Sequence, residues 1–325
     1  MSMDKVFQKV TDQIVAALEA GVDGSFELPW VRMKSVAINA KTGRRLVGIS
    51  QLLCSMSMVE HGFETNKWLT MKQANELGGK IDKGSKSTLV FWLRPFLEVL
   101  VDGKKKLISP EGNQLHEAME AGEPIIWSYR FAPYFNVEQI SDLPDEMYEP
   151  VNQTLAHGLG DGFEPIQEAE EFVRMLQSST DPLKLIHKGV SAHYAPGLDQ
   201  VVMPQREKFK SELGYYSTIF HEIGHWTGHQ SRNAREGIVN FDRFGSSKYA
   251  FEELVAELSA SFKMAEMGLE REVREDHIHY IADWIKVLKN DPKAIFKAAQ
   301  DAARAVRYVN KLVDEHQPAL FESVA

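Results

Sequence analysis

The sequence predicts an α+β protein in two parts, and three observations carry that reading. Between residues 30 and 140, short apolar runs alternate with Gly, Pro and Asp, the pattern of an antiparallel sheet with attached helices. From 166 onward, apolar residues recur mostly at helical spacing. The stretch 146–165 between them is acidic and rich in Pro and Gly, as linkers are. Residues 1–145 therefore read as one mixed α/β domain and 166–325 as a second. At 325 residues with 43 % hydrophobic content, the chain can bury two cores of ordinary domain size.

The elements follow in order. Val6, Phe7, Val10, Ile14 and Leu18 share one face of a helix over 3–20, whose acids set it apart from a signal peptide. Helices near 46–61 and 70–77 accompany strands at 88–93, 97–101, 125–131 and 134–137. A helix over 166–178 opens the second domain. Strands at 184–194 and 199–203 follow, joined by Ala195-Pro-Gly-Leu198. Ser211 is a suitable N-cap for the next helix, and Gly228 suits its C-terminal turn. Another helix starts after Ser246 or Ser247, and helices near 271–290 and 291–315 close the chain.

Composition narrows the classes. A single cysteine, Cys54, rules out an intramolecular disulfide and suits a reducing cytoplasm, with core packing as its expected role. No apolar run approaches a membrane span. The net charge of −9 is spread unevenly. Fourteen Lys/Arg stand against six Asp/Glu from Trp30 to Lys106, whereas Leu107 to Pro150 carries one Arg against nine acids. A basic segment inside an acidic protein is what a phosphate backbone attracts. Trp30, Trp68, Trp92 and Trp127 are interleaved with it and offer rings for bases of a single strand. Trp68 stands out because Lys67 and Lys72 flank it, with Lys80, Lys83 and Lys86 as further phosphate contacts. Core packing is the plainer role for rings in Leu89-Val-Phe-Trp-Leu93, which reads as a buried strand.

The chemistry concentrates in His221-Glu-Ile-Gly-His225. On a helix, His221 and His225 share one face and can hold one divalent metal, while Glu222 is placed to take a proton from water there. A third ligand is needed. His229 is turned away by a helix ending at Gly228, and the longer HExxHxxGxxH pattern fails at Ser231. Glu253 on the following helix is the favoured ligand, and Glu257, one turn on, accepts a ligating histidine's N–H or takes the ligand's place. Glu252 reads as an ordinary solvated helix residue. Tyr249, one turn before Glu253, is a candidate donor to a developing oxyanion.

Ile186-His-Lys-Gly-Val-Ser-Ala-His-Tyr-Ala-Pro196, Phe220-His-Glu-Ile-Gly-His-Trp-Thr-Gly-His229 and Tyr249-Ala-Phe-Glu-Glu-Leu-Val-Ala-Glu257 together resemble the zincin-like metallopeptidase domain of the ArdC antirestriction family. Asn39-Ala-Lys-Thr-Gly-Arg44, Trp68-Leu-Thr-Met-Lys-Gln-Ala-Asn75, Lys83-Gly-Ser-Lys86 and Phe135-Asn-Val-Glu-Gln139 resemble that family's amino-terminal domain. Arg45-Leu46 and Ile49-Ser50 stand where the family's Tyr and Asn are expected. The resemblance implies an amino-terminal single-stranded-DNA-binding domain, a carboxy-terminal zincin-like domain, and protection of incoming DNA from host restriction, as in members encoded on conjugative plasmids. It implies one zinc per chain, with manganese or another divalent metal as substitutes, and a host protein such as a restriction component as a possible substrate. Two other readings stay open: a protein that coats single strands around a structural metal site, and a nuclease, which two histidines disfavour.

Overall fold

The computed structural model describes residues 2–22, 30–31, 33, 35–101, 104–149, 166–240, 246–269, 271 and 278–316. Residues 150–165 of the expected linker lie outside that set.

Helix α1 (Met3–Val22) buries Val6, Phe7, Val10, Ile14 and Leu18 along one face. After it come β1 (Ile38–Asn39), α2 (Ile49–His61), β2 (Lys67–Thr70) and α3 (Met71–Glu76). Thr70 and Gln73 form a reciprocal capping box at the start of α3. Next are β3 (Lys80–Ile81), β4 (Thr88–Val101), β5 (Lys104–Ile108), α4 (Gln114–Glu120), β6 (Ile125–Asn136) and β7 (Ile140–Ser141). The main sheet runs β1-β2-β6-β4-β5, antiparallel except for β1 with β2, and β3 pairs with β7 apart from it.

The expected strands at 88–93 and 97–101 are one long strand, β4, that runs through Pro95. Among the described residues β5 pairs with β4 only from Leu97 onward, so Pro95 sits on an edge where its missing N–H leaves no ladder bond unmade. Farther back on that edge, Ser50 Oγ meets both the N–H (2.8 Å) and the C=O (2.9 Å) of Phe91. One hydroxyl from α2 thereby satisfies the strand's exposed backbone.

The carboxy-terminal half begins with α5 (Gln167–Gln177), then β8 (Lys184–His187), β9 (His193–Ala195) and β10 (Gln200–Met203). They form a three-stranded sheet, with β10 between parallel β8 and antiparallel β9. The strand expected over 184–194 is thus two short ones. Helices α6 (Glu212–Trp226), α7 (Glu236–Val239), α8 (Ser247–Glu266), α9 (Ile278–Asn290) and α10 (Ala294–His316) complete the chain. Ser211 and Ser246 cap α6 and α8, each accepting a backbone N–H three residues on.

The largest apolar cluster joins the two halves. Residues from α1, α2 and β4, with Trp30, Val31 and Met33, pack against Leu254, Leu258 and Phe262 of α8, Trp284 of α9 and Phe296 of α10. A second cluster unites α5, the three-stranded sheet, α6 and α10. Cys54 is buried beside Trp68 and Val90, where burial pushes its thiol pKa up. No helix among the described residues is long and apolar enough to cross a membrane.

A candidate metal centre between two buried helices

Helix α6 carries His221, Glu222 and His225 into the interior because its apolar residues lie on every side. Tyr216, Ile219, Phe220 and Trp226 are all buried with them. It packs against α8, buried at every residue from Ala250 to Ala265 except Phe251. Gly224 makes the close approach possible: a Cβ there would lie 3.1 Å from Ala256 Cα and 3.3 Å from its carbonyl oxygen.

At this crossing three donors converge. His221 Nε2 and His225 Nε2 are 3.1 Å apart. Glu253 sets one carboxylate oxygen 3.4 Å from the first and the other 3.5 Å from the second. Ligand atoms of all three lie within 4.8 Å of one another, and all three side chains are buried. The other ring nitrogens face outward onto carboxylates, with Glu257 Oε1 3.2 Å from His221 Nδ1 and Glu252 Oε1 3.2 Å from His225 Nδ1. An acceptor at Nδ1 fixes the tautomer that leaves the Nε2 lone pair pointing inward.

Each of these carboxylates is gripped by a buried arginine. Arg235 donates through Nε to Glu252 Oε2 (2.9 Å) and through a terminal nitrogen to Oε1 (2.6 Å). It also reaches Thr227 Oγ1 (2.8 Å) and Gly224 O (2.6 Å). Arg271 pairs with both oxygens of Glu257, one contact being 3.0 Å, and its backbone N–H approaches Val31 O at 3.4 Å. Gly228 admits the Arg235 guanidinium, which a Cβ there would meet at 2.8 Å.

The electrostatics ask for positive charge at the convergence point. Burial disfavours the charged form of His225, but Glu253 and Glu252 outweigh it and raise its pKa to about 10. His221 is raised for the same reason by Glu253 and Glu257. Burial works to raise Glu253, yet the two imidazoles hold its pKa well below the usual carboxylate range. Glu222, Glu252, Glu253 and Glu257 are four buried carboxylates, against two buried guanidiniums from Arg235 and Arg271. Two positive charges balance the set. Protonating the two imidazoles supplies that charge, and so does a divalent cation between neutral ones, for which the converging Nε2 and carboxylate donors are placed. The donor types and the burial fit such an ion.

The remaining expected residues fall as follows. Tyr249 stands one turn before Glu253, its hydroxyl 3.0 Å from that of Tyr280. Burial, the Glu253 charge and hydrogen bonds to Tyr280 and Glu253 keep its phenol protonated above the ordinary range. His229 is half-buried and hydrogen-bonds Ser231 Oγ (2.8 Å), apart from the three donors. Two readings need correction. Glu252 is buried, not solvated, because α8 is enclosed on all sides and Arg235 neutralises it. Trp68 is fully buried, so its ring offers no face to a base: β2 lies inside the sheet, and the indole packs with Ala37, Leu46 and Val90. Lys67 is half-buried and donates to Glu146 O (2.8 Å). Lys72, Lys80, Lys83 and Lys86 are exposed, Lys72 near Glu76 at 3.8 Å and Lys80 paired with Asp142 at 2.9 Å. Arg235 and Arg271 are not legible in the sequence, since each meets its glutamate across a sequence separation of 17 or 14.

Comparison with known proteins agrees with this geometry. Residues 4–125 match the N-terminal domain of anti-restriction factor ArdC, and 167–301 match a zincin-like metallopeptidase family. Two DNA primase TraC proteins of Escherichia coli are 31 % and 29 % identical over 95 % and 93 % of this chain. The chain spans only 20 % and 27 % of their lengths. The protein y4eC of Sinorhizobium fredii is 30 % identical over 94 % of this chain and 91 % of its own. Crystal structures of the antirestriction ArdC protein from the R388 plasmid, metal-free and Mn(II)-bound, are similar to it with TM-scores of 0.73 and 0.71. Both are 28 % identical and cover 96 % of this chain and 99 % of theirs.

Proposed function

The chain belongs to the ArdC antirestriction family, and from that premise we propose that it binds single-stranded DNA through residues 1–145 and hydrolyses peptide bonds at a zinc held by His221, His225 and Glu253 of the domain 166–325. It acts in the cytoplasm of a cell receiving a mobile element, with a host protein such as a restriction component as the cleaved partner. The observation that carries the hydrolytic half is the convergence of three buried donors beside Glu222 on two capped helices.

Zinc bound there supplies a Lewis acid that polarises a carbonyl and acidifies water, and Mn(II), which the R388 relative binds, is a substitute. The protein's own groups do the rest. Glu222 accepts a proton from the attacking water on a carboxylate oxygen and passes it to the departing amide nitrogen. Tyr249 keeps its proton and donates a hydrogen bond to the oxygen where charge develops. Glu252 and Glu257 fix the ring orientation of the two histidines. Edge strands β8 and β9 offer backbone to an extended peptide. For DNA, the exposed lysines at 72, 80, 83 and 86 supply phosphate contacts within the basic segment.

The test takes the full chain through three measurements: elemental analysis, cleavage of unfolded casein, and binding of a labelled dT20 oligonucleotide. About one zinc per chain is expected, and casein cleavage that Glu222→Gln abolishes while zinc content and oligonucleotide affinity stay as in the parent. Equal cleavage by Glu222→Gln, or a chain that takes up no divalent metal, overturns the hydrolytic reading and leaves a DNA-coating protein.

A further inference from the structure

The main sheet leaves one face open, and its side chains are unusual for an exposed surface. Residues paired directly across an antiparallel ladder share a face. Trp92 pairs with Arg130, Arg94 with Ser128 and Phe96 with Ile126, and the same face continues through Leu107 and Leu100. Trp92 is 42 % exposed, Ile126 39 %, Leu107 48 % and Leu100 74 %. Leu97, one residue out of phase on the opposite face, is buried. Scattered apolar residues on a surface need no explanation, but four on one sheet face mark an interaction site.

Charge indicates the occupant. The Arg130 guanidinium lies 4.9 Å from the centre of the Phe96 ring and that of Arg94 lies 5.9 Å away. Arg130 is held there by hydrogen bonds to Ser128 Oγ (2.8 Å) and Tyr129 O (3.0 Å). Neither arginine meets a carboxylate among the described residues, while the face's one acid, Glu98, is paired with Lys105 at 2.7 Å. Two uncompensated guanidiniums among rings, on a chain of net charge −9, attract a polyanion that also carries flat apolar groups.

We propose that this face of β4, β5 and β6 is the platform for single-stranded DNA, its bases stacking on Trp92 and on the arginine-covered Phe96 while Arg94 and Arg130 meet phosphates. The proposal rests on the DNA-binding half of the function given above and moves the stacking role from buried Trp68 to exposed Trp92. Aromatic rings and guanidinium planes on an open sheet are a general way to hold unpaired bases.

The test uses the full-length protein with labelled dT20, the matching 20-base-pair duplex and rU20, at several salt concentrations. Trp92→Ala should weaken dT20 binding about tenfold, roughly 1.4 kcal/mol, with Trp92→Phe keeping most of it. Arg94→Gln and Arg130→Gln should each lower the slope of log affinity against log salt by about 0.7. Arg174→Gln, at an exposed position of α5 in the other half of the chain, serves as the control off this face, and melting temperatures confirm that the variants fold. If the parent binds dT20 and Trp92→Ala binds it equally, the platform is wrong while DNA binding stands. If the parent binds no oligonucleotide, both fall together. Preference for rU20 reassigns the occupant to RNA, and a dimer that Trp92→Ala dissociates with DNA affinity unchanged makes the face a self-association surface; either overturns the proposal.

Discussion

Gly224→Ala should weaken metal binding without touching any ligand. The added Cβ meets Ala256 Cα at 3.1 Å, Ala256 O at 3.3 Å and Ser259 Cβ at 3.3 Å, where ordinary contact begins near 3.4 Å. Two of the three atoms are backbone of α8, so relief requires α6 and α8 to part by about 0.3 Å or more. His221 and His225 ride on one helix and Glu253 on the other, and metal–ligand distances tolerate about 0.2 Å. Separation on this scale should lower divalent-metal affinity about tenfold or more. Helix propensity pulls the other way, since alanine is favoured over glycine inside a helix by about 1 kcal/mol. Overpacking costs about 1–3 kcal/mol, so net stability should fall modestly or hold. Chelator-competition titration with Zn(II) gives the affinity, and thermal melts give the stability. Gly197, which has open space where a Cβ would stand, is the control. Affinity within twofold of the parent, together with a raised melting temperature, would refute the claim that interhelical spacing sets the site.

Three further outcomes follow from named contacts. Glu252→Ala leaves Arg235 a buried charge without its carboxylate, and should cost about 3–5 kcal/mol in urea melts. Metal affinity should drop about 10- to 100-fold with it, and adding Arg235→Met should restore stability but not affinity. Lys263 is buried over the Phe172 ring, and burial lowers its pKa from 10.5 to about 8 despite Glu266. Its folded-state pKa lies below the unfolded value, so the unfolded chain binds more protons between pH 8 and 10.5 and this residue's contribution rises with pH there. Lys263→Met should remove that rise, ~3 kcal/mol at most, from urea midpoints compared between pH 7 and 10. Trp68→Ala should cost about 3–5 kcal/mol of stability. Any loss of dT20 binding should then track unfolding measured by circular dichroism, unlike that of Trp92→Ala.

What could be read from the sequence was what is local. His221 and His225 declare themselves because helical spacing alone stacks them, and the serine caps at 211 and 246 because a cap acts within three residues. Glu253 was reachable by the same periodicity on the next helix. Glu252 was misread by isolating it from its surroundings. Leu254, Val255, Ala256, Leu258 and Ala260 leave α8 no solvated side, so a charge there had to be buried and paired. Its partner Arg235 carries no local signal. Trp68 was chosen for flanking lysines, but neighbours in a strand point to opposite faces, so charge at 67 says nothing of exposure at 68. In the sequence Pro95 reads as a break, because its tolerance depends on which strand lies at the edge of the sheet, a fact of topology.

The apolar cluster that runs from α1 and α2 into α8, α9 and α10 has a consequence for how this protein unfolds and how it is passed on. Cutting between the halves would strip Trp30, Leu52 and Phe91 of the helices that cover them, and Trp284 and Phe296 of theirs. Heating should therefore melt the amino- and carboxy-terminal halves in one cooperative step. Indivisibility of this kind acts on genes as well as on molecules. Within the much longer TraC primases, the matching region spans 93–95 % of this chain. A unit whose halves share one core is expected to be inherited entire, with other domains added beyond it rather than between its halves.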